Sequence, residues 1–426
     1  MISEEKLKAV IFEQNRKIKN IKQYNFLPRE YMKDVQKLFK IPHSIIITGI
    51  RRCGKSVFLF EIIEKLKKGY YYINFEDDRL ADFKLGDFDK LYEVCLENFG
   101  KNKIFFLDEV QNVIGWERWI RRMYDNGFKF FITGSNARLL SKELATLLTG
   151  RHLQFPIYPF SFKEFLNFKN FNFKKEDFYL AEKKVEIVKY ISKYIKFGGF
   201  PEYLKYDQIE VLQGYFNDII QRDIVERYNI KNIKQIKELA RYLLTNISNL
   251  TTYNQLKKLT DIRSVNTVIK YFSYLENSYM VFKVPFFSYS IKKQIANPFK
   301  IYSVDVGLRN AISFRFSEDI GRIYENVVAI ELKRRNKEIY YWKNKKHQEV
   351  DFLIREGMKI KQLIQVCYKI DDIKTKNREL KSLIECSKEI KCNNLLVITA
   401  GYQNEEKINS KKIKFISLWK WLLENN

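Results

Sequence analysis

Histidine, cysteine and proline are among the scarce residues of this chain. Three histidines and five cysteines stand among 426 residues. The cysteines (Cys53, Cys95, Cys367, Cys386 and Cys392) are odd in number and scattered, and no pair has Cys-x-x-Cys spacing. That pattern argues against a zinc site and predicts reduced thiols. Seven prolines, with no low-complexity linker and no internal repeat, leave no sign of a long flexible spacer. No window reaches about 18 uncharged apolar residues, so no membrane-spanning helix is expected. The N-terminal MISEEKLKAVIFEQNRKIKN mixes charges throughout and lacks the apolar core of a signal peptide. A cytoplasmic protein with no membrane partner is the expectation.

What is abundant points elsewhere. Hydrophobic residues make up 46% and aromatic residues 15% of the chain, ample material for buried cores. The length suits two or three domains. Lysine and arginine number 77 against 51 acidic residues, a formal charge of +26. Such a surplus favours a polyanionic partner, nucleic acid first. A chain that is lysine-rich throughout is the plainer alternative.

The N-terminal 1–40 reads as basic and helical. From Ser44 the pattern changes. Short apolar runs (SIIITG, YYYINFE, KIFFLDEV, FKFFITGS, HLQFPIYPF) alternate with helix-like segments. Continuous apolar strands separated by helices predict a parallel sheet covered on both faces, here over 41–160. The stretch 161–296 reads as mostly helical, interrupted by the turn in KFGGFPEYL. Its later part reads as three helices and a short strand, MVFKV, which is a winged-helix pattern with Ser264–Leu275 as third helix. The remainder, 297–426, returns to mixed α and β.

Gly49-Ile50-Arg51-Arg52-Cys53-Gly54-Lys55-Ser56 fits GxxxxGK[ST] at every fixed position, between a strand and a helix. In such a loop backbone N–H groups surround phosphates, and the helix directs its positive end at the anion. The cofactor-binding residues are therefore Gly49 to Ser56 with the following Val57. Lys55 reaches the β and γ phosphates of ATP and Ser56 ligates Mg²⁺. A partner site belongs on a later strand. IFFLDEV supplies Asp108 for Mg²⁺ and Glu109 as general base. The next strand ends in ITGSN, where Ser135 or Asn136 could orient water and Thr133 reads as a structural residue. Arg151, in LATLLTGR, is either an arginine finger, in its own or a neighbouring subunit, or a surface arginine. Arg51 and Arg52 stabilise phosphate, contact a partner, or are simply solvated.

Taken as a set, GIRRCGKS, FLDEVQNVIGWERWIRRMYD, ITGSNARLLSKELATLLTGR and GGFPEYL resemble a large prokaryotic family of AAA-like P-loop ATPases with a C-terminal domain of unknown function. The resemblance runs from roughly Tyr31 to Tyr368. It implies an α/β fold: a P-loop NTPase parallel-sheet core, an α-helical and winged-helix region, then a restriction-nuclease-like α/β domain. Lys55 and Ser56 match the phosphate loop, Asp108 and Glu109 the metal and catalytic acids, and Arg151 the Gly-Arg element. A nuclease of that type needs D…(E/Q)xK with metal-binding carboxylates and a lysine. Here Asp351, Gln365 and Glu325 stand at the acidic positions, but Cys367 occupies the lysine position. Lys369 lies two residues further on. The expectation is a nuclease-like fold without cleavage.

These readings predict a Mg²⁺-dependent ATPase coupled to DNA or a DNA-associated partner. The alternative is an ATP-gated regulatory module that binds protein with little turnover. An oligomer is compatible with either.

Overall fold

The computed structural model describes residues 2–21, 26–135, 150–313 and 320–424. The chain divides into two compact units, Met1–Tyr158 with Asn277–Tyr279, and Pro159–Glu276 with Met280–Asn426. Among the described residues no helix is long and apolar enough to cross a membrane.

The first unit is built on five parallel strands, β1 (Ser44–Thr48), β2 (Tyr71–Asn74), β3 (Ile104–Asp108), β4 (Lys129–Gly134) and β5 (His152–Pro156). Their order across the sheet is β2-β3-β4-β1-β5. All five residues of β1 are buried, as the unbroken run SIIIT requires of a strand covered on both faces. The helices α1 (Glu4–Ile21), α2 (Met32–Leu38), α3 (Lys55–Leu66), α4 (Asp87–Phe99) and α5 (Trp116–Asp125) complete the unit. α1 is no separate arm. Leu7, Val10 and Ile11 on one of its faces join the core with Phe88, Phe105 and Trp119. Because β1 lies between β4 and β5, the chain leaves its C-terminal end at a switch point of the sheet, where open α/β sheets bind ligands.

The second unit carries two sheets. In the smaller, β6 (Leu250–Thr251), β7 (Val281–Val284) and β8 (Phe299–Ser303) lie in the order β6-β8-β7. Three helices, Ile233–Thr245, Tyr253–Leu259 and Val265–Asn277, interleave with them. The expected boundary between 296 and 297 falls just before β8, which pairs antiparallel with both β6 and β7. The sequence pattern predicts a single short strand here. β6 spans only two residues and β8 is reached after a long connection, so neither carries a local periodicity that sequence could show.

The larger sheet has the order β13-β14-β12-β11-β10-β9. Its strands are β9 (Glu338–Lys343), β10 (Glu349–Glu356), β11 (Lys359–Cys367), β12 (Leu395–Thr399), β13 (Asn404–Ile408) and β14 (Lys411–Ser417). The β9, β10 and β11 pairs are antiparallel, and β11 pairs parallel with β12. Long helices Ile320–Arg334 and Ile373–Ile390 flank it. β11 ends at Cys367, so Lys369 lies beyond the strand and is exposed. Strand alternation from Gln365 therefore does not extend to it.

Candidate nucleotide site

The loop between β1 and α3 is shaped by close backbone packing. Gly49 has φ 151°, and a Cβ there would lie 2.2 Å from the Ile157 carbonyl oxygen. Only glycine fits this approach. The Ile157 amide in turn donates to the Thr48 carbonyl at 2.8 Å. Arg29, only 4% exposed, braces the loop from outside: its guanidinium donates to the Cys53 carbonyl (3.0 Å) and the Tyr158 carbonyl (2.6 Å). Cys53 is fully buried, and burial pushes its thiol up. It is packing material for the loop, not a nucleophile.

Lys55 opens α3 and is 5% exposed. Its ammonium donates to the Ile50 carbonyl (3.3 Å) and lies 3.5 Å from Glu109 Oε1. Ser56 hydrogen-bonds the Asp108 carboxylate. Asp108 is 1% exposed and ends β3. Burial first, then the Glu109 charge, raises its carboxyl to about 6, against the hydrogen bonds of Thr133 and Ser56 and the charge of Lys55. Glu109 has φ 51° and ψ 41°, a left-handed conformation that a non-glycine residue adopts seldom and chiefly where surroundings impose it.

The imposing residue is Thr133 on β4. Its hydroxyl donates to Asp108 Oδ1 and accepts from the Glu109 amide at 3.0 Å. Tyr72 on β2 adds a third donor to Asp108, at 3.3 Å from Oδ2. The sequence points to Ser135 or Asn136 for the strand-end role and to Thr133 as structural. Here Thr133 is the β4 residue in contact with both acids, and Asn136 lies outside the described residues. The contact comes from register, which only the structure supplies: β3 and β4 pair Leu107 with Ile132, so Asp108 neighbours Thr133. Thr133→Val keeps the shape and removes both bonds. Turnover is expected to fall about 10- to 100-fold, the usual cost of removing a group that orients a metal-binding acid, with a raised Mg²⁺ requirement in a metal titration.

One expected residue, Arg151, is not brought to the site. Arg151 precedes β5, and its carbonyl accepts from the Ser44 amide (2.9 Å) at the start of β1. The loop leaves the other end of that strand, roughly 15 Å away at the usual rise per residue. Its guanidinium pairs with Asp125 at 2.9 Å. An arginine-finger role at its own loop is therefore corrected: the parallel pairing of β1 with β5 puts Arg151 at the wrong end of the sheet. Arg51 pairs with Glu76 at 2.8 Å, tying the loop to the segment after β2. Arg52 has φ 67°. Val57 follows Ser56 in the first turn of α3.

Ser56 and Asp108 give one hydroxyl and one carboxylate in contact. This hard-oxygen pair suits Mg²⁺, which keeps several waters and takes phosphate oxygens rather than an all-protein cage.

A parallel sheet in this order, with a phosphate loop after β1 and an acidic pair after β3, defines a P-loop nucleotide-binding protein of the AAA type. The sequence model described as an AAA domain matches residues 42–166. Two domains of unknown function, DUF8612 and DUF4143, match residues 188–319 and 320–421. The chain is 41% identical to the uncharacterized protein MJ1544 of Methanocaldococcus jannaschii, over 90% of this chain and 89% of that protein. It is 31% identical to an uncharacterized protein of Haemophilus influenzae, over 89% of this chain and 94% of the other. The chain belongs to the family of these proteins; in this chain the AAA domain precedes the two domains of unknown function. Among solved structures, the RuvB Holliday junction branch migration motor of Thermotoga maritima aligns at TM-score 0.30 and 15% identity, over 60% of this chain and 90% of that one. Cdc6p of Pyrobaculum aerophilum aligns at TM-score 0.28 and 12% identity, over 72% and 96%.

Proposed function

We propose that this protein is a Mg²⁺-dependent ATPase whose nucleotide state is coupled to duplex DNA. The observation that carries the reading is the convergence of Lys55, Ser56, Asp108, Glu109 and Thr133 at the C-terminal ends of three adjacent strands. Lys55 neutralises the β and γ phosphates, and the loop from Gly49 to Val57 surrounds them with N–H donors. Ser56 and Asp108 hold Mg²⁺, whose charge, when bound, stabilises negative charge developing on phosphate oxygens. Glu109 accepts a proton from the attacking water. Thr133 keeps the two acids in register.

Support for DNA comes from the net charge of +26 and from residues 233–303. We read the helices Ile233–Thr245, Tyr253–Leu259 and Val265–Asn277 with β6, β7 and β8 as a winged helix, to which the short helix Ile291–Ala296 is added between β7 and β8. Its third helix buries Val268, Phe272 and Leu275 and leaves Asn266 and Lys270 exposed. Those are residue types that contact phosphates and base edges from a groove. A second reading, an ATP-gated module that holds a protein, draws on one observation. Tyr289, Ile291 and Ile295, between β7 and β8, are 80%, 72% and 80% exposed, an apolar surface suited to a protein partner.

The test is ATP turnover against single-stranded and duplex DNA at two stated salt concentrations. Many-fold stimulation by duplex DNA that fades with salt is the expected result. Slow turnover unmoved by DNA, with ATP-dependent capture of a protein, favours the second reading. Under either reading the protein acts in the cytoplasm, and assembly into an oligomer is compatible with both.

A further inference from the structure

The second unit contains a buried cluster in which the missing lysine reappears from an unexpected strand. Lys300, on β8, is 1% exposed. Its ammonium lies 2.8 Å from Glu325 Oε1, 2.7 Å from Glu349 Oε1 and 2.8 Å from Asp351 Oδ1. The three carboxylates come from the helix Ile320–Arg334 and from β10. Around them, Tyr302 donates to Glu325 at 2.6 Å and the Val366 amide to Asp351 Oδ2 at 2.9 Å. Gln365 accepts from the Asp351 amide (3.3 Å) and donates to Glu379 (2.7 Å).

An ammonium has three N–H donors and no acceptor. Lys300 has three carboxylate oxygens within hydrogen-bond distance, so its donors are saturated and none remains for a water or a phosphate. A lysine that activates water must keep a donor or a proton-transfer path toward the substrate. The position is instead that of a cation bound by oxygen ligands converging from two elements. The ammonium-to-oxygen distances exceed the 2.0–2.1 Å typical of Mg²⁺, and among the described residues no group of three or more His, Cys, Asp or Glu side chains is set to hold a metal as it stands.

We infer that Lys300 is a built-in cation that fills the Glu325–Glu349–Asp351 cluster in place of a divalent metal ion, leaving the C-terminal sheet without metal-dependent hydrolytic chemistry. The electrostatics agree. Burial lowers the affinity of Lys300 for its proton, but the surrounding carboxylates outweigh burial and hold it well above its ordinary range. Burial first, then the Asp351 charge, pushes the Glu325 carboxyl up to about 8, against the Lys300 charge and the hydrogen bonds from Lys300 and Tyr302.

The experiment is Mn²⁺ binding by the nucleotide-free full chain, followed by electron paramagnetic resonance, together with plasmid cleavage. Wild type is expected to hold no Mn²⁺ that Asp351→Asn removes, and to cut no DNA. Lys300→Ala is expected to gain one Mn²⁺ per chain, at least about tenfold tighter than any wild-type binding, and to lose it in the Lys300→Ala/Asp351→Asn double variant. If Lys300→Ala folds only when Mn²⁺ is present, the inference is supported by that dependence. A wild type that binds Mn²⁺ or cleaves plasmid in an Asp351-dependent manner overturns it, with no variant of Lys300 needed. So does a folded Lys300→Ala that takes up no Mn²⁺.

Discussion

Lys55→Ala is expected to abolish ATP binding and to lower turnover by roughly 10²- to 10³-fold or more. The ammonium is buried at the start of α3, beside the Ile50 carbonyl and 3.5 Å from Glu109. A phosphate entering the loop would meet the Glu109 carboxylate without this charge, so repulsion replaces attraction where solvent screening is weak. Glu109→Gln separates the two roles of the acidic end. The amide keeps the volume and cannot take a proton, so ATP binding should persist while turnover falls about 10²- to 10⁴-fold. Equilibrium binding of a fluorescent ATP analogue and phosphate release, measured side by side, distinguish the two variants. A Lys55→Ala protein that hydrolyses ATP at the wild-type rate refutes the assignment of the loop.

Gly198→Ala should be among the most damaging small substitutions in the second unit. Gly198 has φ 72°, and a Cβ there would lie 2.2 Å from Asp305 Oδ1 and 2.6 Å from the Gly307 amide nitrogen. Its neighbour Gly199 donates to Asp305 Oδ2 at 2.7 Å, and a Cβ on Gly199 would meet the Phe160 carbonyl at 2.3 Å. Asp305 also accepts from the Leu308 amide at 2.9 Å, capping the helix Val306–Ile312. The GGFP turn is therefore a joint between three segments, and neither glycine can gain a methyl group without moving backbone. A loss of about 3 kcal/mol or more is expected from combined strain and clash, read as a lowered thermal midpoint or earlier proteolysis of this unit. The same joint gives a pH signature. Burial lifts the Asp305 carboxyl to about 6 despite the backbone hydrogen bonds that favour its charge. A raised carboxyl binds its proton more tightly in the fold, so this group's contribution is full below about 4 and is lost as pH rises through about 6. Asp305→Asn should remove that slope from a stability-versus-pH curve.

The nucleotide loop and its acidic partner were legible because each is a contiguous string whose chemistry and strand context coincide. GIRRCGKS and IFFLDEV carry their own evidence. Thr133 and Tyr72 were not legible, since they act across the sheet and depend on which strands are neighbours and in what register. Lys300 was harder still. The motif places a lysine two residues after Gln365, on the same strand, where Cys367 stands. The structure brings a lysine from a strand of another sheet, 51 residues before Asp351. The choice left open for Arg151, a finger at its own loop, at a neighbour's, or a surface arginine, narrows for a related reason: a strand has two ends, and a motif does not say which end it occupies.

The grip of Arg29 on the phosphate loop has a kinetic consequence. One guanidinium holds carbonyls from the loop and from the segment after β5, and its side chain is buried where it does so. Much of the conformational freedom a loop would surrender on capturing a phosphate is thus already surrendered on folding. Nucleotide association should then be limited by encounter rather than by loop ordering. The amides of residues 49–54 should exchange slowly with solvent deuterium before ATP is added as well as after.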